Sequence, residues 1–281
     1  MTYPKIDLDG AVVVVTGGAR GIGKAAAELF AARGATACIG DLDGDVAAEV
    51  AGSLSAPDLG YTLDVASRES FAAMIGGVLD RLGRIDILVN NAGIMPLGDF
   101  IDEDDATSRA TLDINVWGPI HGLRLVLPHM IDRGSGHIVN VASMAGKIAI
   151  PGMAVYNASK FAAVGLSASV REEYAHTGVS VSAVLPSAVR TRLVSGVTLG
   201  HLPTVEPDQV AHAIVDSVRT RRAQITVPGY LAGWDLLDAA VPGPLMRLGR
   251  RFIGDRRALT AVDHTVRGEY DRAVKRQAEP R

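Results

Sequence analysis

The sequence has almost no cysteine and no cluster of metal ligands. Its 281 residues include one cysteine, Cys38, and seven histidines. A single cysteine excludes an intramolecular disulfide and a cysteine-based zinc cluster, and no His-Glu-x-x-His or related spacing occurs. We therefore expect no metal ion, a reducing compartment, and a position in the core for Cys38.

The composition also lacks what several classes of partner require. The formal net charge of -3 indicates no basic surface for nucleic acid, and the aromatic content of 5% leaves few side chains to stack on bases. No apolar run is long enough to span a bilayer, and the first ten residues have mixed charges and no apolar stretch like that of a secretion signal. These absences predict a cytoplasmic chain that binds no nucleic acid.

What the sequence does contain is a regular alternation of short β-branched runs and helical segments. Strands are predicted at residues 11–16, 35–40, 59–63, 85–89, 137–142, 179–185 and 224–227. Helices are predicted at residues 24–33, 46–54, 68–82, 107–130 with a bend or break at Pro119, 155–176 and 210–221. The pattern predicts an α/β fold with a Rossmann-type, doubly wound parallel sheet of about seven strands. We expect one catalytic domain over residues 1–230 and a C-terminal extension over residues 231–281.

A glycine-rich turn follows the first strand directly. It reads Thr16-Gly-Gly-Ala-Arg-Gly-Ile-Gly23, and an alanine-rich helical segment comes next. Glycines allow the backbone to approach a pyrophosphate closely, and the helix N-terminus offers free N–H groups to the anion. The spacing differs from the more widespread Gly-x-Gly-x-x-Gly. The order of strand, glycine-rich turn and helix predicts a dinucleotide-binding site. The alternative is a turn between strand and helix in which the glycines are needed only for packing.

Asp41 ends the second strand, about twenty residues after the glycine turn. A carboxylate there accepts hydrogen bonds from the adenosine ribose and repels a 2′-phosphate, which favours NAD over NADP. Arg20 favours NADP instead, because a guanidinium beside the turn can bind a 2′-phosphate. We give Asp41 the greater weight and expect NAD. Asp41 also fits a role as a helix cap, and the two roles are compatible.

Tyr156 and Lys160 form the pattern Tyr-x-x-x-Lys. In a helix these side chains stand on one face a single turn apart, so the ammonium group can reach the region of the phenol. A fixed cation lowers the pKa of a tyrosine from its usual value of about 10. Ser143 follows the apolar run 137–142, where its hydroxyl would lie at a sheet edge. The three side chains predict proton transfer at an oxygen, although Tyr-x-x-x-Lys alone also fits an ordinary surface helix.

Taken in order, these motifs resemble the short-chain dehydrogenase/reductase family over residues 8–230. The resemblance rests on Thr16–Gly23, Asp41, Asp64-Val65, Asn90-Asn-Ala-Gly93, Asn115, Ser143, Tyr156-x-x-x-Lys160 and residues 186–191. It implies that Tyr156 is the general acid/base, that Lys160 lowers the pKa of Tyr156 and holds the nicotinamide ribose, and that Ser143 binds the substrate oxygen. It also implies that Asn115 anchors a water in a proton relay that ends at Lys160.

The resemblance further implies a set of cofactor contacts. Arg20 and Ile22 would line the pyrophosphate and ribose side of the turn, and Asp41 would bind the adenosine ribose. The adenine, the middle of the cofactor and the carboxamide would meet later segments of the chain. The full implied set is Gly17, Arg20, Gly21, Ile22, Gly23, Asp41, Asp64, Val65, Asn91, Ala92, Gly93, Tyr156, Lys160, Val189 and Thr191. The family usually has Pro-Gly after the sixth strand; Pro186-Ser187 here leaves the course of residues 188–191 open.

The positions that shape the substrate pocket in the family are mostly apolar here. They are Met95, Met144, Ala145, Ile150, Met153, Leu193, Val194 and Leu199. Arg192 and Lys147 remain candidates for binding an anionic group. We therefore expect an NAD-dependent oxidoreductase that interconverts a hydrophobic secondary alcohol and its ketone. The alternatives are an NADPH-dependent ketoreductase of acyl or polyketide carbonyls and a non-catalytic NAD-binding redox sensor.

The last 35 residues are basic, with ten Lys or Arg and five Asp or Glu between positions 247 and 281. Leu245, Leu248 and Phe252 lie at helical spacing among arginines, and a basic amphipathic helix can lie on an anionic membrane surface. The favoured alternative is that the tail packs on its own body or on a sister subunit and covers the substrate mouth. Family resemblance implies a homotetramer or homodimer.

Overall fold

A seven-stranded parallel sheet forms the centre of the fold. The computed structural model describes residues 3–198, 203–241 and 262–278. Its strands are β1 Val12–Thr16, β2 Thr36–Asp41, β3 Gly60–Thr62, β4 Ile87–Asn90, β5 Gly136–Val141, β6 Val179–Pro186, β7 Ala188–Val189, β8 Thr204–Val205 and β9 Gln224–Val227. The main sheet has the order β3-β2-β1-β4-β5-β6-β9, and every neighbouring pair is parallel. Strands β7 and β8 form a separate parallel pair.

Helices connect the strands and cover both faces of the sheet. They are α1 Gly21–Ala31, α2 Gly44–Ser53, α3 Arg68–Leu82, α4 Asp105–Leu112, α5 Gly118–Asp132, α6 Ala154–Glu173, α7 Pro207–Thr220, α8 Trp234–Ala240 and α9 His264–Ala278. Local sequence explains several of their ends. Helix α3 begins where the Ser67 hydroxyl accepts from the Ser70 N–H and ends at Gly83 with a φ of 71°. Helix α7 begins with Pro207 and a capping box between Glu206 and Gln209.

Strand β1 shows how the two hydrophobic layers meet at the sheet. Val13 and Val15 pack in the layer that contains α1, α2 and α7, whereas Val12 and Val14 pack in the layer that contains α3, α5 and α9. All four valines are buried, and burial of each contributes about 1.5–3 kcal/mol relative to exposure. This two-sided burial explains why the strand is a continuous apolar run. The predicted doubly wound fold is confirmed.

Two predicted boundaries are wrong in ways that concern the site. The break in the long segment 107–130 was expected at Pro119, but it is a π-helical turn at Asp113–Trp117. Pro119 lies in the first turn of α5, where its missing N–H leaves no helical bond unmade. Strand β5 ends at Val141, one residue before the predicted end, and Ser143 starts a short 3₁₀ turn, Met144–Gly146, at the edge of the sheet.

The C-terminal part divides into described and undescribed segments. Helices α8 and α9 were not predicted from the sequence. The basic amphipathic segment expected around Leu245, Leu248 and Phe252 lies outside the described residues, and so does Leu199. In the part of the chain that the structure describes, no helix has the length and apolar character needed to cross a membrane.

Candidate active site

A cavity of about 1190 Å³ opens at the carboxyl ends of the strands. Its lining joins residues that are far apart in sequence, as expected for a parallel sheet whose strand ends share one edge. The predicted residues that line it are Gly17, Arg20, Gly21, Ile22, Asp41, Asp64, Val65, Asn91, Ala92, Gly93, Ser143, Tyr156, Lys160, Val189 and Thr191. Gly23 and Asn115 are not among the lining residues, and both contact residues that are.

The glycine turn is held against the end of β4 by Thr16 and Asn91. The Thr16 hydroxyl accepts from the N–H groups of Asn91 and Ala92 at 3.0 and 3.1 Å. In return, the Asn91 side-chain amide donates to the carbonyls of Thr16 and Gly17, both at 3.0 Å. The spacing is so tight that a Cβ on Gly23 would lie 2.2 Å from the Gly17 oxygen. Glycine is therefore required there for packing within the turn.

The start of α1 faces the cavity. Arg20 precedes the helix without a capping bond from its side chain, and Gly21 and Ile22 line the cavity beside it. A helix N-terminus carries N–H groups and a positive dipole end that suit an anion. The turn therefore fits the pyrophosphate of a dinucleotide, and the cavity extends from it in two directions, toward Asp41 and toward Tyr156.

Asp41 and Asp43 lie beside the glycine turn, where the sequence predicted binding of the adenosine ribose. Asp41 accepts from the N–H of Ala19 at 3.1 Å and from that of Asp43 at 3.2 Å, so its carboxylate is held beside the glycine turn. The Arg20 guanidinium pairs with Asp43 at 2.7 Å. That pairing, helped by the Val46 N–H at the start of α2, holds the pKa of Asp43 below its usual value. The positive charge of Arg20 thus already has an acidic partner in the protein.

Tyr156, Ser143 and Lys160 meet at the other end of the cavity. Tyr156 and Lys160 lie one turn apart on α6, and the Lys160 Nζ is 5.7 Å from the centroid of the tyrosine ring. The Lys160 ammonium donates to the Val141 carbonyl at 3.1 Å. Ser143 accepts from the Ala145 N–H at 3.1 Å and hydrogen-bonds to Tyr156. The structure brings together the three side chains for which the sequence predicted a role in proton transfer.

Lys160 was expected to lower the pKa of Tyr156, but the pKa of Tyr156 is raised in the structure. Complete burial raises the pKa of Tyr156 above its usual range, and the hydrogen bond from Ser143 only partly opposes the shift. Burial likewise lowers the pKa of Lys160 to about 8. Both shifts arise because removal from water disfavours the charged form of each group. Lys160 is directed at a backbone carbonyl, and Ser143 is the group whose bond favours the phenolate.

Asn115 lies in the π-helical turn and makes three hydrogen bonds. Its carbonyl oxygen accepts from the Ile94 N–H at 2.9 Å, and its amide donates to the Ile94 carbonyl at 2.9 Å and to the Ser159 hydroxyl at 3.0 Å. These bonds tie the segment after β4 to α6. The relay role that the resemblance implies for Asn115 stays a prediction. Asn90 braces the sheet through a bond of 2.8 Å to Asn140.

The segments around the rest of the cavity are fixed by backbone contacts. Asp64 accepts from the Ala66 N–H at 3.0 Å, and His121 Nδ1 contacts the Val65 carbonyl at 3.1 Å. Ser187, the departure from the family pattern, donates its hydroxyl to the Pro203 carbonyl beside β8. The following residues run over the glycine turn, where a Cβ on Gly21 would lie 3.2 Å from the Thr191 methyl group.

Apolar side chains surround Tyr156 on its open side. Met95, Ala145 and Met153 pack in one cluster with Tyr156, together with Leu97, Ile150, Leu193 and Val194. Both cations considered for an anionic substrate already have partners: Lys147 pairs with Asp235, and Arg192 pairs with Glu269 at 2.8 Å. The immediate surroundings of Tyr156 are therefore apolar, and the wider lining of the cavity also includes Arg109, Asp113 and Gln277.

Sequence reasoning missed several residues that bound the cavity. They are Leu231, Trp234, Gln277 and Ala278, which line it, and Arg267 and Tyr270, which hold its wall. One signal was available, because Arg267, Tyr270, Val274 and Ala278 recur at helical spacing. Across residues 3–198, 203–241 and 262–278, no group of three or more His, Cys, Asp or Glu side chains could hold a metal ion.

Comparison with known proteins agrees with this geometry. SadH of Mycobacterium tuberculosis, whose name describes an oxidoreductase, is 32% identical over 259 residues, 85% of this chain and 94% of SadH. Estradiol 17-beta-dehydrogenase 11 of Rattus norvegicus is 30% identical over 255 residues, 89% of this chain and 86% of the rat protein. A crystal structure from Burkholderia phymatum of a short chain dehydrogenase/reductase in complex with NAD superposes with a TM-score of 0.75 at 26% identity, covering 83% and 93% of the two chains.

A parallel sheet of this order with a glycine-rich turn after β1 defines a Rossmann-type nucleotide-binding protein. The family model for short chain dehydrogenases matches residues 11–200, so the chain belongs to the short-chain dehydrogenase/reductase family. It is an oxidoreductase acting on CH–OH donors, with relatives named as hydroxysteroid dehydrogenases, and its family binds NAD or NADP. The resemblance drawn from the sequence is thereby confirmed.

Proposed function

We propose that this protein is an NAD-dependent dehydrogenase that interconverts a hydrophobic secondary alcohol, such as a hydroxysteroid, and its ketone. The observation that carries the proposal is the apolar enclosure of Tyr156 and Ser143 in a cavity that runs continuously to Asp41. The name of the estradiol dehydrogenase relative points to the same class of substrate.

The preference for NAD is supported by the acidic groups at the adenosine end. Asp41 is fixed beside the glycine turn by two backbone N–H groups, and Asp43 neutralises Arg20. A 2′-phosphate there would meet a fixed carboxylate and would have to draw Arg20 away from Asp43. A 2′-hydroxyl, in contrast, can donate to the carboxylate.

The residues at the other end supply binding and proton transfer. When bound, the nicotinamide ring accepts or gives the hydride of the carbinol carbon. Ser143 binds the substrate oxygen, and its hydroxyl also favours the charged form of Tyr156 by lowering the pKa of Tyr156. Tyr156 takes the hydroxyl proton during oxidation and returns it during reduction. Lys160, fixed by the Val141 carbonyl, adds positive charge one turn away and would hold a ribose hydroxyl of the bound cofactor.

The apolar character of the substrate is supported by the pairing of the nearby cations. To bind an anionic substrate, Lys147 or Arg192 would first have to leave its acidic partner. A neutral alcohol with a large apolar body requires no such exchange and gains from contact with Met95, Met153 and Leu193.

Cofactor titration tests the first half of the proposal. NADH and NADPH are titrated against the purified protein by fluorescence, with Asp41→Ala alongside. We expect tighter binding of NADH, with a loss of preference of about tenfold or more in the variant, since a charged hydrogen bond is removed. Tighter binding of NADPH by the wild type would instead support the ketoreductase, and a panel of ketones would then be tested.

We also propose that the chain forms a homodimer or homotetramer. Leu112, Trp117 and Phe161 are 40%, 46% and 46% exposed on α4, the π-helical turn and α6, which pack against one another. Large exposed apolar side chains are typical of protein interfaces. Light scattering after gel filtration should give an oligomer that Phe161→Glu weakens; a monomeric wild type would contradict this proposal.

A further inference from the structure

Helix α9 contains an arginine with no exposed surface. Arg267 is 0% exposed and is among the largest fully buried side chains of the described chain. Its guanidinium donates to the backbone carbonyls of Met95 and Leu193, and at 3.4 Å to that of Ser195. It also pairs with Asp271 at 3.1 Å and stacks 4.4 Å from the Tyr270 ring. A buried charge is costly unless its donors are used, and here they join two separate backbone segments.

Those two segments are the walls of the substrate end of the cavity. Met95 follows β4, and Leu193 lies in the loop after β7; the side chains of both pack in the apolar cluster around Tyr156. Arg267 binds the backbone of these two residues from outside the cluster. The guanidinium therefore fixes the separation of the walls between which a substrate would lie.

Tyr270 makes a second bond to the same wall. Its hydroxyl accepts from the Met95 N–H at 2.9 Å, and burial raises the pKa of Tyr270 to about 12, so the group stays protonated at neutral pH. With Arg267 on the carbonyl and Tyr270 on the N–H, both backbone groups of Met95 are bound by α9.

The opposite wall approaches α9 so closely that it requires glycine. Gly196 has a φ of 74°, and a Cβ there would lie 2.6 Å from the Asp263 oxygen and 3.0 Å from the Arg267 Cβ. The Gly196 carbonyl accepts from the Asp263 N–H at 2.7 Å, and Val197 pairs with Val262. Residues of the wall and residues of α9 therefore both contribute to the close contact between them.

We propose that Arg267, Tyr270 and Gly196 form a clasp that sets substrate specificity, with Arg267 and Tyr270 acting as positioning residues for the walls at Met95 and Leu193. The inference rests on the proposed function, because it assigns the substrate to the space between those walls. Among the described residues, the hydrogen bonds of Arg267 and Tyr270 go to Met95, Leu193, Ser195 and Asp271 and not to Ser143, Tyr156 or Lys160, although Tyr270 contributes to the raised pKa of Tyr156. The clasp acts on how tightly a bulky apolar alcohol is held, whereas the transfer of proton and hydride depends on Tyr156, Ser143 and the bound cofactor at the same end of the cavity.

The test compares Arg267→Ala, Tyr270→Phe and Gly196→Ala with two matched controls. Arg272→Ala removes an exposed arginine from the same helix, and Gly83→Ala places the same strain at a positive φ with open space around the added Cβ. For a bulky secondary alcohol such as estradiol, we expect the KM to rise about tenfold in the clasp variants, with kcat and NADH binding within about twofold. The preference for the bulky alcohol over a small one such as 2-propanol should fall by a similar factor.

Hydrogen exchange of the backbone separates this proposal from the proposed function. We expect faster exchange in peptides covering residues 94–97 and 192–197 in each clasp variant, and wild-type exchange in both controls. This readout needs no substrate, so it still decides the matter if the wild type oxidises none of the alcohols. Unchanged exchange and unchanged KM in Tyr270→Phe and Gly196→Ala would overturn the clasp, even if Arg267→Ala failed to fold.

Discussion

At the scale of single residues, the distinctive feature of this site is the burial of both titratable partners. Tyr156 and Lys160 are removed from water, which raises the pKa of Tyr156 and lowers that of Lys160, so the neutral form of each side chain is favoured. Ser143 is then the residue whose hydrogen bond favours the phenolate. In the proposed mechanism alcohol oxidation requires that phenolate, so we expect the balance between burial and Ser143 to determine how the rate depends on pH.

The first prediction concerns Ser143→Ala. Because the raised pKa of Tyr156 leaves little phenolate at neutral pH, kcat/KM for alcohol oxidation should rise with pH from 7 to 9. Loss of the Ser143 hydroxyl should lower the rate about a hundredfold and move this rising limb to still higher pH. Ser143→Thr keeps a hydroxyl and serves as the control. An unshifted limb in Ser143→Ala would show that Ser143 does not act on Tyr156.

The second prediction concerns the stability cost of Lys160. Its pKa is about 8 in the folded chain and 10.5 without burial, so the unfolded chain binds more protons between these values. The stability of the wild type relative to Lys160→Met should therefore be lowest below pH 8 and should rise as the pH increases toward 10.5. The electrostatic part of the difference is on the order of 3 kcal/mol.

Urea unfolding of both proteins at several pH values measures this difference. The comparison cancels the contributions of Cys38 and Tyr156, whose raised pKa values act equally in both chains. A stability difference that stays constant with pH would mean that Lys160 is not desolvated in the folded protein.

At the scale of elements, the glycine turn is the part that sequence specified most completely. The third prediction uses Gly23→Ala, whose Cβ would lie 2.2 Å from the Gly17 oxygen. The turn would have to open, so we expect a loss of about 3 kcal/mol or more in stability and no measurable NADH binding. Gly76→Ala in α3 adds a Cβ in open space and should stabilise by about 0.5–1 kcal/mol. Thermal melts and NADH titration of the two variants check this contrast.

The features that could be predicted from the sequence are those that depend on local spacing, and the features that were missed depend on contacts between distant segments. The turn, Asp41 and the Tyr156–Lys160 pair were predictable because each depends on spacing within one short segment. The π-helical turn at Asp113–Trp117 was missed because the bonds of Asn115 to Ile94 and Ser159, which hold that turn, join distant parts of the chain. Arg267 was missed for the same reason, since an arginine in a polar helix reads as exposed until its partners in other segments are known.

At the scale of the whole molecule, α9 shows that part of the C-terminal extension belongs to the wall of the cavity. The favoured expectation was that the tail packs on its own body and covers the substrate mouth. Residues 262–278 do pack on the body, and Gln277 and Ala278 line the cavity. The less favoured alternative, contact of the segment around Leu245, Leu248 and Phe252 with a membrane surface, stays untested, because that segment lies outside the described part of the chain.

The fourth prediction uses Cys38 as a probe of global unfolding. The thiol lies in β2 with no exposed surface, and burial raises its pKa to about 12, so the folded chain holds almost no reactive thiolate. Labelling by a disulfide reagent should be at least a thousandfold slower in native buffer than in denaturant, with a rate set by the population of unfolded chain. Cys38→Ala gives the background. Fast labelling of the native protein would contradict the assignment of β2 to the core.

The central claim is tested most directly by initial rates of NADH or NADPH formation from NAD or NADP, with a hydroxysteroid or a small hydroxy acid as substrate, using wild type and Tyr156→Phe. We predict that NAD with the hydroxysteroid gives the highest kcat/KM and that Tyr156→Phe lowers it about a thousandfold or more. A higher kcat/KM for the hydroxy acid or for NADP, or a Tyr156→Phe variant with wild-type rates, would contradict the account.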